Sequence, residues 1–196
     1  MMRSEWAYYE SFLDAAACQE IVDAALKYPI EKGTVTSDSK LKKEVRHSDV
    51  IFLQRTDPVF SNVFATLDYC VDQANDEWFG VDYNRFGTRA VQFTIYRGAE
   101  AGEKGQHYNM HQDSTLISGE HPSQRKLSVT VQLSDDADYE GGDFTMHYVT
   151  RHPPADAIRK RGTILVFPSL VHHSVTPVSR GVRYSLVAWY VGRPWR

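Results

Sequence analysis

His111 and Asp113 pose the first chemical question. They stand two residues apart in the run Gln106-His107-Tyr108-Asn109-Met110-His111-Gln112-Asp113-Ser114. In an extended strand, positions i and i+2 project from one face, so an imidazole and a carboxylate would aim at a common point. Those are two of the three groups that hold a non-haem Fe(II) with open coordination positions. A further imidazole is on hand in His172-His173, just beyond the apolar run that ends in Phe167-Pro168. Strand neighbours face opposite ways, so only one of that pair can join the site. Imidazole and carboxylate suit divalent iron, whereas thiolate-rich sets suit zinc. Downstream, Arg183 sits in a run of Val, Tyr, Leu and Ala. Its planar fork matches a carboxylate in two-point fashion, so an arginine there should face something acidic. His47, His107, His121, His147 and His152 read as surface or hydrogen-bonded imidazoles.

Such groups need a rigid frame. The stretch 6–12 is apolar and aromatic and suits a short strand. Asp14 is a natural N-cap, and 15–28 places Cys18, Ile21, Val22, Ala25 and Leu26 on one helical face, ended by Pro29. Residues 45–53 suit a strand. Asp57-Pro58 starts a second helix, with apolar spacing down to Phe79 and Gly80 as its C-cap. From Arg89 onward the pattern is β-rich. Residues 90–96 alternate, and 126–133 alternate most regularly, with Leu127, Val129, Val131 and Leu133 on one face and Ser128, Thr130 and Gln132 on the other. Further strands are expected at 143–149, 162–167 and 182–191. Helices followed by a run of strands with short turns indicate an α+β domain, N-terminal helices buttressing a β sandwich or barrel.

Composition sets the outer bounds. A chain of 196 residues fits one domain with a sizeable core. The net charge of −3 offers no basic face for nucleic acid. Cys18 and Cys70 form no CxxC pair and read as reduced core thiols. No apolar run reaches membrane-spanning length, and residues 1–6 lack the apolar segment of a signal peptide. The expectation is a cytoplasmic protein with no membrane and no nucleic-acid partner.

Several short motifs come in one order: His111-x-Asp113, Glu140-Gly141-Gly142, Gly162-Thr163-x-x-x-Phe167-Pro168-Ser169, then His173-x-Val175-x-Pro177-Val178-x-x-Gly181-x-Arg183. That ordered set resembles the Fe(II)/2-oxoglutarate-dependent dioxygenases of the prolyl 4-hydroxylase superfamily. The run 125–134 resembles the family's strand after the H-x-D. The likeness covers roughly residues 88–192. It implies a double-stranded β-helix (jelly-roll) core over 88–192, with 1–87 as a helical support region of the same domain. It implies His111, Asp113 and His173 as the metal triad, the Pro-Ser-x-x-x-His spacing selecting His173 over His172. It implies Arg183 as the clamp for the distal carboxylate of 2-oxoglutarate and Tyr96 as a hydrogen-bond partner of that co-substrate. Thr130, Gln132 and Ser185 should face the same interior; Gln132 stands where some relatives have a tyrosine. Trp189 matches a tryptophan often found near the iron, and Tyr108 neighbours a metal ligand.

By the same resemblance the cofactors are Fe(II), 2-oxoglutarate and O2, with ascorbate as a candidate reductant. The reaction is hydroxylation of an unactivated C–H bond with release of succinate and CO2. Family precedent favours a peptidyl, prolyl-type substrate; a free amino acid or other small metabolite is the alternative. Loops at 34–43, 100–106 and 116–124 are expected to shape the entrance. Lys40, Lys42, Lys43, Lys104 and Arg125, in or next to them, give no decisive charge bias. A rival of another class is a non-catalytic β-helix ligand-binding module, against which the intact triad and Arg183 speak. A zinc hydrolase lacks an obvious general-base glutamate beside its histidines.

Overall fold

The computed structural model describes residues 2–33, 45–99, 104–115 and 123–195. In chain order the elements are β1 (Ala7–Tyr9), α1 (Ala15–Ala25), β2 (Glu31–Lys32), β3 (Arg46–His47), β4 (Asp49–Gln54), α2 (Ser61–Ala74), β5 (Ala90–Arg97) and β6 (His107–His111). There follow β7 (Gln124–Gln132), β8 (Tyr139–Gly141), β9 (Phe144–His147), α3 (Ala155–Arg159), β10 (Ile164–Pro168), β11 (His172–Val175) and β12 (Val178–Gly192). The entrance loops expected at 34–43, 100–106 and 116–124, with Lys40, Lys42 and Lys43, fall wholly or largely outside the described residues.

Local chemistry sets the helix ends. The Asp14 carboxylate accepts the Ala17 N–H at 2.8 Å, which satisfies an orphan donor of the first turn of α1. That helix ends at Ala25, short of the expected 28, because Lys27 and Tyr28 donate only three residues back, to Ala24 and Ala25. α2 is preceded by a 3-10 turn over Pro58–Phe60 that Asp57 caps, and it continues as a π-helical turn over Asn75–Phe79. Gly80 closes it in the left-handed region at φ 59°.

Two antiparallel sheets form the body. The larger runs β1-β10-β7-β12-β5-β4-β2, with β8 pairing to β12; the smaller runs β3-β6-β11-β9. The expected single strand over 45–53 is therefore two. Arg46–His47 pairs with β6 in the small sheet, and after Ser48 the chain crosses to pair with β5 in the large one. β12 also begins earlier than expected. Its first residues pair with β8, and at Gly181 (φ 76°) it bends onto β5 and β7. A side chain at Gly181 would place its Cβ 2.0 Å from the Asp138 carbonyl. Among the described residues, 1–87 thus supply four strands as well as α1 and α2.

Strand alternation divides the large sheet into two faces. Val91, Phe93, Ile95, Leu127, Val129, Val131, Leu186, Ala188 and Tyr190 pack with Val22, Val63, Phe64, Leu67 and Val71 of the helices in the main core. Burial of each large apolar side chain there contributes about 1.5–3 kcal/mol. Cys18 and Cys70 are in this core, and burial pushes their thiols up to about 11 and about 12. The opposite face carries Gln92, Thr94, Tyr96, Ser128, Thr130, Arg183, Ser185 and Trp189 and turns toward the small sheet. No helix of the described residues is long and apolar enough to cross a membrane.

One buried polar knot ties the helix layer to the sheet. Asp68 on α2 accepts from Arg55 through both carboxylate oxygens at 2.8 Å and from the Tyr190 hydroxyl at 2.7 Å. Asp68→Ala leaves both terminal nitrogens of Arg55 and a buried phenol without their acceptor, while Arg55 Nε keeps the Thr88 carbonyl. The expected loss is about 3 kcal/mol of unfolding free energy. Urea denaturation of the wild type and variant measures it; an unchanged midpoint would show that the knot contributes nothing.

Candidate metal centre

Strand register builds the centre. β6 and β11 pair with His111 opposite His173, their ring centroids 4.2 Å apart. Asp113 lies just past the end of β6, so strand extension alone does not bring it in. Instead its N–H and that of Ser114 both donate to the Ser169 carbonyl at 3.0 Å, bending the chain toward β10 and β7. There the Ser128 hydroxyl donates to Asp113 Oδ2 at 2.7 Å. With that proton committed, the Ser169 hydroxyl must donate to Ser128 at 2.8 Å. His172 faces outward, edge-on to the Tyr148 ring, as alternation along β11 requires.

Both imidazoles are oriented by backbone. His111 Nδ1 donates to the Asn109 carbonyl at 2.8 Å and His173 Nδ1 to the Val171 carbonyl at 3.0 Å. A carbonyl only accepts, so each proton sits on Nδ1 and each Nε2 keeps its lone pair. The two Nε2 atoms lie 3.9 Å and 3.6 Å from the Asp113 oxygens, and the three candidate donor atoms lie within 4.8 Å of one another.

The charge states fit a divalent cation. Burial, then the neighbouring His173, pushes His111 down to about 4 despite the Asp113 carboxylate. For Asp113, burial works toward protonation. The neighbouring His173, Arg125 and His111 and the Ser128 hydrogen bond together outweigh it and hold the carboxyl below its usual range. At neutral pH the cluster presents a neutral His111 imidazole and an ionised carboxylate, the forms that ligate metal. Aromatic rings wall it in: Tyr108 stacks on His111 at 3.4 Å, and Phe144 and Phe167 pack on His173.

A cavity of about 660 Å³ opens in front of these groups, within the range of small-molecule sites. Among the residues expected in the site, Tyr96, Tyr108, Thr130, Arg183, Ser185 and Trp189 all line it. Arg183 and Tyr96 are register partners on β12 and β5. The Arg183 guanidinium stands 5.5 Å from the Tyr96 ring, and Ser185 lies 3.4 Å from its Nη1. Arg183 is 4% exposed and has no carboxylate partner among the described residues. A buried guanidinium without an anion is costly, and its planar fork has the shape that a carboxylate matches. Gly142 lets the backbone abut it: a Cβ there would come 3.0 Å from Arg183 Cδ.

Gln132 departs from expectation. It does not line the cavity; its amide donates to the Tyr139 hydroxyl at 2.8 Å and toward the Ser134 carbonyl at 3.4 Å. β7 ends at this residue, and the amide serves the following turn. Conversely, Gln92, Phe144, Phe167 and Arg46 line the cavity without having been singled out. The alternation of 90–96 places Gln92 with Tyr96 and was a usable signal. For Arg46, on a two-residue strand, there was none. Arg125, expected only near the entrance, lies 3.8 Å from Asp113 Oδ1 and 3.9 Å above the Trp189 ring.

The Ser128 hydroxyl touches the candidate ligand Asp113 but not the cluster's open side. Ser128→Ala is expected to weaken divalent-metal affinity by roughly 10- to 100-fold, as for other groups that orient a ligand. Anaerobic Fe(II) titration, with Mn(II) as a surrogate, measures this; equal affinity in wild type and variant would exclude the role.

Comparison with known proteins agrees with this geometry. The profile described as the 2OG-Fe(II) oxygenase superfamily matches residues 91–191, more than half of the chain. A PKHD-type hydroxylase of Synechococcus sp. (strain CC9311) is 36% identical over 87 residues, 44% of this chain and 37% of that protein. The chain thus spans well under half the length of this curated relative. Among solved structures, a prolyl-4-hydroxylase of Pseudomonas putida superposes with a TM-score of 0.68 at 18% identity, covering 95% of this chain and 92% of the other. A prolyl hydroxylase of Trichoplax adhaerens, in complex with a hypoxia inducible factor peptide fragment, superposes with a TM-score of 0.70 at 15% identity, covering 95% and 83%. At those identities the likeness is one of fold, the double-stranded β-helix with helices on its outer face. On the strength of the profile match and of the cluster that residues 91–191 contain, the chain belongs to the 2OG-Fe(II) oxygenase superfamily.

Proposed function

We propose that the chain is an Fe(II)- and 2-oxoglutarate-dependent hydroxylase. His111, Asp113 and His173 would hold the metal through two Nε2 atoms and a carboxylate. Arg183, with Ser185 and Tyr96 beside it, would hold the distal carboxylate of 2-oxoglutarate. Thr130 and Trp189 line the same interior. The observation that carries the reading is the pairing of two features in one cavity: a converging His-Asp-His cluster and a buried guanidinium with no anion partner among the described residues. When bound, iron and 2-oxoglutarate supply the oxidising power, with O2 consumed, succinate and CO2 released and a C–H bond hydroxylated.

The protein's own contribution is positional. The Asn109 and Val171 carbonyls fix the imidazole tautomers. Ser128 and Ser169 fix the carboxylate rotamer. Phe144, Phe167, Tyr108 and Trp189 give the cavity apolar walls that limit water around the reacting centre. Asp113 at the ligand position also speaks against halogenation, for which the wider superfamily leaves out the carboxylate. A prolyl residue in a peptide is the substrate that the names of the structural relatives favour. A free amino acid is the other reading, and it finds support in the arginine balance of the cavity.

Anaerobic addition of Fe(II) and 2-oxoglutarate should give a weak visible charge-transfer band, and admission of air should yield succinate. His111→Ala should abolish both. Arg183→Met should raise the Kd for 2-oxoglutarate by about 10- to 100-fold, the loss of a charge-assisted hydrogen-bonded contact, with metal affinity retained. A wild type with neither band nor succinate, indistinguishable from His111→Ala, refutes the hydroxylase reading.

A further inference from the structure

The cavity holds a second buried guanidinium, and it is on the other sheet. Arg46 lies on β3, paired in register with Tyr108 of β6. Its guanidinium sits 4.8 Å from the Tyr108 ring, which in turn stacks on His111. The residue is 7% exposed and lines the cavity. Among the described residues its side chain makes one hydrogen bond, from Nε to the Ser48 hydroxyl at 2.9 Å. Nη2 is buried without a partner, and no carboxylate pairs with Arg46 among the described residues.

The position is held in place. The Gly33 N–H donates to the Ser48 carbonyl at 2.8 Å, and a Cβ on Gly33 would lie 2.8 Å from Arg46 Nε and 2.5 Å from Ser48 Oγ. Backbone without a side chain therefore packs against the guanidinium of a residue that lines the cavity.

Charge then selects an occupant. Arg125 already faces Asp113, and Lys32 is paired with Asp49 at 2.6 Å. Glu31 also lines the cavity, but it is exposed and forms no ion pair with either arginine, so that Arg183 and Arg46 are without anions among the described residues. On the proposed function, on which this inference rests, 2-oxoglutarate uses one carboxylate at the metal and the other at Arg183. Nothing of it is left for Arg46, and with a divalent cation bound the cavity still carries excess positive charge. A buried guanidinium in that state needs an anionic partner. We infer that Arg46 binds a carboxylate of the substrate itself, so that the hydroxylated molecule is an acid, either a free amino acid or a peptide presenting an acidic group beside the reacting carbon. An internal prolyl residue flanked by neutral residues does not satisfy this site.

The holoprotein, loaded with Fe(II) and 2-oxoglutarate, tests this with four pools. They are the twenty free L-amino acids, the same compounds as carboxamides, amidated peptides containing Asp and Glu, and amidated peptides lacking them. Succinate released above the substrate-free rate is the readout. At least one acidic pool should exceed its neutral counterpart by tenfold or more. The free amino acids and the acidic peptides distinguish the two sources of the carboxylate. Arg46→Met should abolish the difference, Arg46→Lys should retain part of it, and both should keep the visible band and a 2-oxoglutarate Kd within about twofold of wild type. Neutral pools equal to acidic ones, or no stimulation by any acidic pool, overturn the inference. So does a large rise in 2-oxoglutarate Kd in Arg46→Met, which would assign this arginine to the co-substrate. Absence of the band in the wild type would instead sink the hydroxylase reading.

Discussion

Keeping one carboxylate ionised away from water is the condition on which the inner face is built. Burial alone pushes Asp113 toward its protonated form. It stays charged because four groups from three strands converge on it: His173 from β11, Arg125 and Ser128 from β7, and His111 from β6. The two sheets must therefore close at a fixed separation and register for the acid to survive as an anion. The Ser169 carbonyl reinforces this by taking both backbone N–H groups at 113 and 114. A divalent cation is the natural completion of such a cluster, since it neutralises the carboxylate and uses the lone pairs that the backbone carbonyls have turned inward.

That polar interior is tolerable because the other face of the same strands is apolar apart from the Tyr190 hydroxyl, which Asp68 satisfies. Phe93, Ile95, Val131 and Leu186 are buried against α1 and α2. Their partners one residue along, Thr94, Tyr96, Thr130 and Ser185, line or border the inner side. Stability and chemistry are thus on opposite sides of one sheet. Changes to the cavity lining leave the helix packing untouched, provided the strand pairing holds.

Much of this was legible in the sequence because it rests on periodicity and local caps. The alternation of 126–133 assigned Ser128 and Thr130 to the inner side, and Asp14, Asp57-Pro58 and Gly80 marked the helix ends. The meeting of His111, Asp113 and His173 was legible for a similar reason, the motif order around them. Features set by long-range geometry were not. Asp113 arrives through a bend bonded to Ser169, a partner distant in the chain. Gln132 has the inward parity of Ser128 and Thr130, yet its amide turns to Tyr139 because the strand ends there. Arg46 belongs to a two-residue strand whose assignment depends on pairing with β6, which no local pattern announces.

β12 makes a last point. It runs unbroken from Val178 to Gly192, and from Arg183 to Tyr190 it alternates a cavity residue with a core residue at each step. Loss or gain of one residue between Gly181 and Trp189 would exchange those roles, sending a guanidinium toward Phe93 and Leu67 and an aliphatic side chain toward the histidines. This strand can diversify by substitution but not by length. Among descendants of the same ancestor, the distance from the glycine bend to the tryptophan should remain constant while the loops around the cavity vary in size.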